Sequence, residues 1–494
     1  MSIAKKIFIG TAWTVIGQIA RQVISLVVVA ILARLLSPGD FGLVAMGYTV
    51  KALAYVFASV GMGSAIIQRK ELDEDHLSTA YWSSFMAGIL MTAVVAGSSP
   101  FVSWFFNRPE LTWIIAVTAI TFTFGGISST HRDLLERKMK FKHISIIDFC
   151  DTLAGSAVAV IMAMKGMGYW SLVAREIAGA FFKIPLYCFA SGWRPRLIFK
   201  IHCFKNLFGF SSYVLLSNFL NYFNRNADNI IIGKVLGATL LGYYDLAYNF
   251  MLKPLQYVSF TTAKALFPAL SRIQEDKDGV RIIYLRTVKI ISLLTFPMMA
   301  GLFVVAPETI LVIYGPKWAT TVPVLQIFCL VGALQSILTT VGTVYMSQGK
   351  SALMFKMNLI ISPFVWFSFI IGVRWGIIGV AICYAIVTCC WTLINHSVAN
   401  RLISLNLNEF LGVFKRPLIY TVIMAATVTI CKSFMGYLLK VDLVTTLLSL
   451  VSCGILAYLI ILMRSADDDV VMIRRFVIQK GMGYIMPVLK FGKQ

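Results

Sequence analysis

RLLSPGDFGLVAMGYTVKALAYVFASVGMGSA, residues 34–65, returns 200 positions later as KVLGATLLGYYDLAYNFMLKPLQYVSFTTAKA, residues 234–265. Arg34-Leu35-Leu36 lies over Lys234-Val235-Leu236, Gly42 over Gly242, Tyr48 over Tyr248, Ser59 over Ser259 and Ala65 over Ala265. Each copy reads as a short turn between two apolar runs, so one helix hairpin is expected twice. Chance likeness between apolar helices would match Leu and Val; here glycine and polar positions match as well.

The surrounding chain explains what those hairpins sit in. Of 494 residues, 58% are hydrophobic and 13% charged, against roughly 25% charged in an average soluble domain. A helix needs about 20 apolar residues to cross a bilayer core. Runs of that length fall at 11–35, 42–67, 77–105, 111–130, 144–164, 168–190, 208–233, 240–266, 286–306, 321–346, 354–373, 376–397, 417–436 and 443–463. The fold class predicted is an all-α integral membrane protein with about 14 transmembrane helices. Six spans separate the repeated hairpins, an even number, so the copies share an orientation. This predicts two six-helix lobes, 1–205 and 206–405, related by a pseudo-two-fold along the membrane normal, with a helix pair and basic tail in 406–494. Transporters built this way place their substrate site between the halves near the bilayer midplane.

Lys and Arg test the count, because cytoplasmic loops are enriched in them. With the N-terminus inside, 29 of the 44 Lys+Arg fall in cytoplasmic segments and eight in opposite loops. That split predicts both termini cytoplasmic. It also reads the net charge of +22 as membrane topology, which excludes nucleic acid as partner. Lys5 and Lys6 ahead of an apolar run resemble a signal peptide, but no small-x-small site follows and Arg21 lies within the run, so a retained first helix is expected. Trp104, Trp170, Trp193, Trp318 and Trp375 fall near span ends, as an interfacial aromatic belt requires. The nine Cys form no CxxC pair, which argues against a disulfide scaffold or zinc module.

A charge at the bilayer centre costs at least ~2.5–3.5 kcal/mol on insertion scales, so charged residues inside spans face a cavity or a partner. Thr14, Gln18, Arg21 and Ser25 share one face of span one. Asn218, Asn221, Arg225 and Asp228 do so in span seven. Lys51 lies between Tyr48 and Tyr55 in span two, and span eight carries Asp245, Tyr248, Asn249 and Lys253. Cations at Arg21, Lys51, Arg225 and Lys253 would suit a large anion such as phosphate. Alternatively Arg225 pairs with Asp228 at i+3, Arg175 and Glu176 satisfy charges elsewhere, and Lys183 and Lys264 reach to the interface. Asp148, Asp151 and Glu176 are candidate proton or cation sites, or counter-charges to nearby bases.

From residue 33 onward, ARLLSPGDFGLVAMGYTVKALAYVFASVGMG resembles bacterial Wzx-type polysaccharide exporters of the multidrug/oligosaccharidyl-lipid/polysaccharide exporter superfamily. The resemblance continues through RPRLIF (194–199), NADNIIIGKVLGATLLGYYDLAYN (226–249), ALFPALSRIQED (265–276), FPMMAGL (296–302) and YGPKWATTVPVLQI (314–327). It implies two six-helix lobes, alternating access, and flipping of an undecaprenyl-diphosphate-linked oligosaccharide from the cytoplasmic to the periplasmic leaflet of the bacterial inner membrane. It also implies cavity bases engaging the diphosphate, and polymerase and chain-length proteins as partners. One departure concerns ion coupling: relatives often carry Asp before the Gly-x-Gly of span two, where this chain has Ser59, Val60 and then Gly61-Met62-Gly63. No cofactor is expected; the driving force is proton or sodium coupling, or the membrane potential alone. A drug/cation antiporter of the same fold is the alternative, and it would need few cavity cations and a buried carboxylate. A membrane enzyme of polysaccharide assembly would need a substantial external loop, and the external connections here are short.

Overall fold

The computed structural model describes residues 3–58, 66, 73–201, 212–438, 442–465, 467 and 469–471. Among them every long element is an α-helix. They are α1 (Ile3–Leu35), α2 (Pro38–Ala58), α3 (Glu74–Phe106), α4 (Glu110–Thr118), α5 (Ile120–Arg137), α6 (Phe141–Met164) and α7 (Trp170–Ser191). The chain continues with α8 (Ser212–Val235), α9 (Ala238–Tyr257), α10 (Ser259–Arg272), α11 (Lys277–Val304), α12 (Ala306–Ile313) and α13 (Thr321–Leu338). It ends with α14 (Val341–Ser347), α15 (Ser351–Gly372), α16 (Gly376–Leu402), α17 (Leu407–Gly412), α18 (Lys415–Leu438) and α19 (Leu443–Arg464).

Each of the fourteen expected spans coincides with helix among the described residues, which leave out 59–65, 67 and 208–211. Among them three spans are broken: the fourth into α4 and α5, the eighth into α9 and α10, the tenth into α13 and α14. The eighth does not break at Pro254, which α9 accommodates, but after Tyr257. Among the described residues, nine stretches are long and apolar enough to cross a membrane, one of them the 52-residue run holding both α15 and α16. The remaining four expected spans coincide with α2, α7, α8 and the α9–α10 pair, the helices that carry Lys51, Arg175, Glu176, Lys183, Arg225, Asp228, Asp245 and Lys253.

Local chemistry sets the helix ends. Ser37 and Asp40 form a reciprocal capping box at the start of α2: Asp40 Oδ2 accepts from Ser37 N at 2.8 Å, and Ser37 Oγ accepts from Asp40 N at 3.2 Å. Asn107, at φ 54°, turns the chain out of α3, and the next amide, Arg108 N, bonds back to Ser103 O at 3.0 Å. Asp276 caps α11 through Gly279 N and Asp442 caps α19 through Val444 N.

The helices group into two compact units, Met1–Asp245 with Phe369–Val380, and Leu246–Ser368 with Ala381–Gln494. In the first, α6 packs along α7 and α1, α3 along α5, and α2 against α8. Membrane helices gain little from hiding apolar surface, because lipid is as apolar as Leu, so close approach through small residues matters more. The repeat supplies such a contact. A Cβ on Gly42 would collide with the backbone of Ala238, and one on Gly242 with the carbonyl of Pro38. Residues 38 and 42 thus meet 238 and 242 reciprocally, the signature of a local two-fold. The hairpin turns match too, α1 ending at Leu35 and α8 at Val235, α2 starting at Pro38 and α9 at Ala238.

In the second unit, Tyr284, Val288, Trp391, Phe410 and Phe414 form the main core, with the rings of Tyr284 and Phe410 stacked at 6.3 Å. Trp318, expected in an interfacial belt, is instead fully buried beside Tyr314, because the short turn Pro316–Trp318 folds it inward. Trp104 and Trp375 remain 71% and 67% exposed, as belt residues require.

Candidate functional site

A cavity of 1180 Å³ opens inside the first unit, bordered by α2, α3, α5, α6, α7 and the start of α9. Its wall holds Tyr48 and Tyr55 from α2, Ser84 from α3, and Thr121, Ser128 and Ser129 from α5. Arg132, Asp133 and Glu136 follow on α5, with Asp151 and Thr152 on α6, Arg175, Glu176, Lys183 and Tyr187 on α7, and Asp245 on α9. Apolar Phe41, Leu90, Phe122 and Leu172 fill the intervals. A chamber of that size with hydroxyls, rings and both signs of charge is a polar compartment within membrane-crossing helices.

Helix period explains how α7 builds one side. Arg175, Gly179, Lys183 and Tyr187 recur every four residues, so they form one ridge. At about 1.5 Å rise per residue, the ridge spans roughly 18 Å and separates its two charges, Arg175 and Lys183, by roughly 12 Å. Gly179 and, on α6, Gly155 let the two backbones meet: a Cβ on Gly155 would strike the carbonyl of Arg175, and one on Gly179 the carboxylate of Asp151.

The close crossing creates an ion-pair ladder. Asp148 accepts from Arg21 Nη1 at 3.0 Å and from Tyr187 Oη at 3.0 Å, with Lys183 Nζ at 3.9 Å. Lys183 also pairs with Asp151 at 2.7 Å. Lys51, only 2% exposed, bonds Glu176 and lies 5.5 Å from the Tyr48 ring centroid. Arg175 donates to Ser25 Oγ at 3.2 Å. The pairs tie α1 to α6, α6 to α7 and α2 to α7; loss of Glu176 would strand the buried Lys51 charge, at a typical cost of about 3–5 kcal/mol.

The sequence-predicted residues therefore take different places. Tyr48, noted as a repeat position and as a flank of Lys51, borders the chamber together with Asp151, Glu176 and Asp245. Arg21 and Lys51 stand behind its wall in ion pairs with Asp148 and Glu176. Arg225 is exposed on α8 and does not border the chamber. Its i+3 neighbour Asp228 is buried and accepts from Tyr244 Oη at 3.0 Å and from Asn229 N at 2.8 Å. Gln18 is exposed on α1. Tyr248, Asn249 and Lys253 belong to the second unit, where Tyr248 packs edge-on against Phe328 at 5.6 Å. The side chains of Asn218 and Asn221, the Ser59-to-Gly63 motif and the basic tail beyond residue 471 lie outside the described residues. Lys183 pairs across to α6. Among the described residues, no three His, Cys, Asp or Glu side chains group as metal ligands.

Sequence reading missed Arg132, Asp133, Glu136 and Tyr187. Arg132 was counted among the cytoplasmic bases and Asp133 and Glu136 drew no reading, because the apolar run ends near residue 130, whereas α5 continues to Arg137. A usable signal was present: Ser129, Asp133 and Glu136 recur at four and three, one face of a continuing helix.

A family model described as polysaccharide biosynthesis protein matches residues 31–323. Lipopolysaccharide biosynthesis protein WzxC of Escherichia coli (strain K12) is 28% identical over 406 residues, covering 81% of this chain and 82% of that protein. Teichuronic acid biosynthesis protein TuaB of Bacillus subtilis (strain 168) is 29% identical over 442 residues, covering 86% and 88%. Among solved structures, the lipid II flippase MurJ in an inward closed conformation superposes with a TM-score of 0.71 at 17% identity, over 91% of this chain and 97% of that one. An inward-facing multidrug resistance MATE family transporter of the MOP superfamily gives 0.62 at 13% identity, over 78% and 94%. At such identities the structural likeness speaks to fold alone, and the family match rests on the sequence. A multi-pass helical chain with this repeat and these matches belongs to the polysaccharide biosynthesis protein family, built on the fold that MurJ and MATE transporters share.

Proposed function

We propose that the chain is a transporter that flips an undecaprenyl-diphosphate-linked oligosaccharide from the cytoplasmic to the periplasmic leaflet of a bacterial inner membrane. The observation that carries the reading is the polar chamber of 1180 Å³ walled by membrane-crossing helices. A sugar headgroup crossing hydrocarbon loses its water and needs replacement hydrogen bonds; Tyr, Ser, Thr and carboxylates offer them. Its lipid tail needs none and stays in the bilayer. The relatives' names support the same reading, since one is a lipopolysaccharide and one a teichuronic acid biosynthesis protein, and MurJ is a lipid II flippase. The Lys/Arg asymmetry supports both termini in the cytoplasm. In this reading residues 1–205 and 206–405 act as two lobes that alternate in access, and 406–494 adds a helix pair. Polymerase and chain-length proteins would receive the product.

Charge placement supports a division of labour. Arg21 and Lys51 are held by carboxylates, whereas Arg132 and Arg175 border the chamber and enter no ion pair among the described residues. Arg132 and Arg175 are thus the guanidinium groups best placed to meet a diphosphate in this unit. Arg225 and Lys253 remain candidates from the sequence. Asp148, Asp151 and Glu176 are each engaged by Lys or Arg, which speaks against these three as coupling-ion sites; the membrane potential offers a driving force that needs none. Two negative charges moving outward across the full field gain about 4–5 kcal/mol per 100 mV.

The test is flipping of a fluorescent undecaprenyl-diphosphate oligosaccharide in vesicles holding the purified protein. Wild type should flip, faster when the inside-negative potential matches export, and Arg175→Ala should slow it at least tenfold. A wild type that leaves the lipid in its original leaflet while exchanging a cationic drug for protons would replace this reading with the antiporter.

A further inference from the structure

The start of α18 and the end of α19 enclose a second cavity, of 480 Å³, in the other unit. Its wall is Arg416, Tyr420, Ile460, Ile461, Arg464 and Ser465. Tyr420 Oη and Ser465 Oγ share a hydrogen bond of 2.7 Å, which holds the two helix ends together. Arg416 Nη1 bonds Asp467 at 2.8 Å, but Asp467 is also taken by Lys289 at 2.7 Å. Lys289 also bonds Asp469 at 2.8 Å, which meets Arg286 at 3.5 Å, so among the described residues three cations, Arg286, Lys289 and Arg416, share two carboxylates and positive charge is left over. Arg464 adds to it, since it enters no ion pair among the described residues.

What surrounds the cavity says what fills it. Among the candidate spans of the second unit, the two ending in α18 and α19 are the least buried. Ile419, Ile423, Leu459, Ile460 and Met463 stand exposed beside the two arginines. In a membrane-crossing helix such a face meets acyl chains, and a charged residue at its end meets headgroups. A ligand satisfying both surfaces needs an anionic head and hydrocarbon tails. Guanidinium groups bind phosphate oxygens bidentately, and basic recesses between transmembrane helices are a recurring form of lipid headgroup site.

We propose that this cavity binds the phosphate of an anionic membrane phospholipid, whose acyl chains lie along the exposed faces of α18 and α19. The site is separate from the chamber of the first unit and stands whether or not the flippase reading does.

Native mass spectrometry of the purified full chain tests it with phosphatidylglycerol and phosphatidylcholine of identical acyl chains. Wild type should retain phosphatidylglycerol at least tenfold more than phosphatidylcholine. Arg464→Gln, which breaks no ion pair among the described residues, should reduce that preference severalfold with an unchanged melting temperature, and the Arg416→Gln/Arg464→Gln pair should abolish it. Inorganic phosphate in excess should not displace the lipid. Equal retention of the two lipids by wild type, or an Arg464→Gln variant that behaves as wild type, overturns the proposal. So does displacement of phosphatidylglycerol by undecaprenyl diphosphate or by free phosphate, which would make the carrier lipid or the bare anion the occupant.

Discussion

The two units place their charges in opposite ways. In the first, Lys51, Asp148, Asp151, Arg175, Glu176 and Lys183 lie inside spans and surround a chamber. In the second, it is the carboxylates of the ion pairs among the described residues that sit at helix ends or beyond them: Asp467 and Asp469 after α19 hold Arg286, Lys289 and Arg416, Asp278 and Glu409 in the first turns of α11 and α17 meet Arg281, and Glu308 in the first turn of α12 holds Lys432. Charge inside a span is expensive, so where it accumulates around an opening it points to a path for polar cargo. Charge at span ends costs less and works as a clamp, here tying the segment after α19 and the α18–α19 pair to α11.

The largest effect that would break this contrast comes from the chamber. A charge-assisted hydrogen bond is worth about 1.5–3 kcal/mol, so Arg175→Ala should cost roughly 10- to 100-fold in flipping rate, read in vesicles. Arg416→Ala, a clamp residue, should leave the rate within about twofold. Equal losses would erase the distinction. Next comes the reciprocal hairpin contact: Gly42→Val forces a side chain into the backbone of Ala238 and should destabilise by about 1–3 kcal/mol, visible as a lowered melting temperature. Gly97→Val, where a Cβ meets nothing within 4 Å, should show no such overpacking.

The clamp predicts smaller changes. Asp467→Asn keeps the shape but removes the charge shared by Lys289 and Arg416, and a loss of about 1.5–3 kcal/mol is expected, measured as melting temperature in detergent. The same residue gives a pH dependence with a definite sign. Burial alone would raise its pKa, but hydrogen bonds from Lys289 and Arg416 outweigh that and hold it below 3.8. A group depressed on folding stabilises above its unfolded pKa, and the contribution disappears as pH falls through the folded value. Wild type should therefore lose melting temperature more steeply than Asp467→Asn as the pH drops below about 4.5.

How much of this was legible in the sequence follows from where each signal resides. Span positions were, because twenty apolar residues in a row carry their own length argument. The hairpin repeat was legible because Gly42 and Gly242 match at a fixed offset, and their reciprocal contact is the physical reason both are glycine. Pairing was not. Asp148 gathers partners from α1 and α7, 127 and 39 residues away, and no local pattern says which helix faces which. Arg21 and Lys51 drew attention as cations that would suit a large anion, and no local pattern shows which carboxylate on another helix pairs with them. The chamber's Arg132, Asp133 and Glu136 were hidden by a different effect: hydropathy falls before the helix ends.

The most direct measurement of the central claim is protection of chamber positions from labelling. Ser129→Cys and Thr152→Cys, each in a background with the nine native Cys replaced by Ser, place a thiol on the wall of the first unit's chamber. A water-soluble maleimide should label both, and undecaprenyl-diphosphate oligosaccharide should slow labelling at least fivefold, while undecaprenol should not. Flipping that proceeds with labelling unchanged by the oligosaccharide would mean the headgroup travels elsewhere, and the chamber would lose its role.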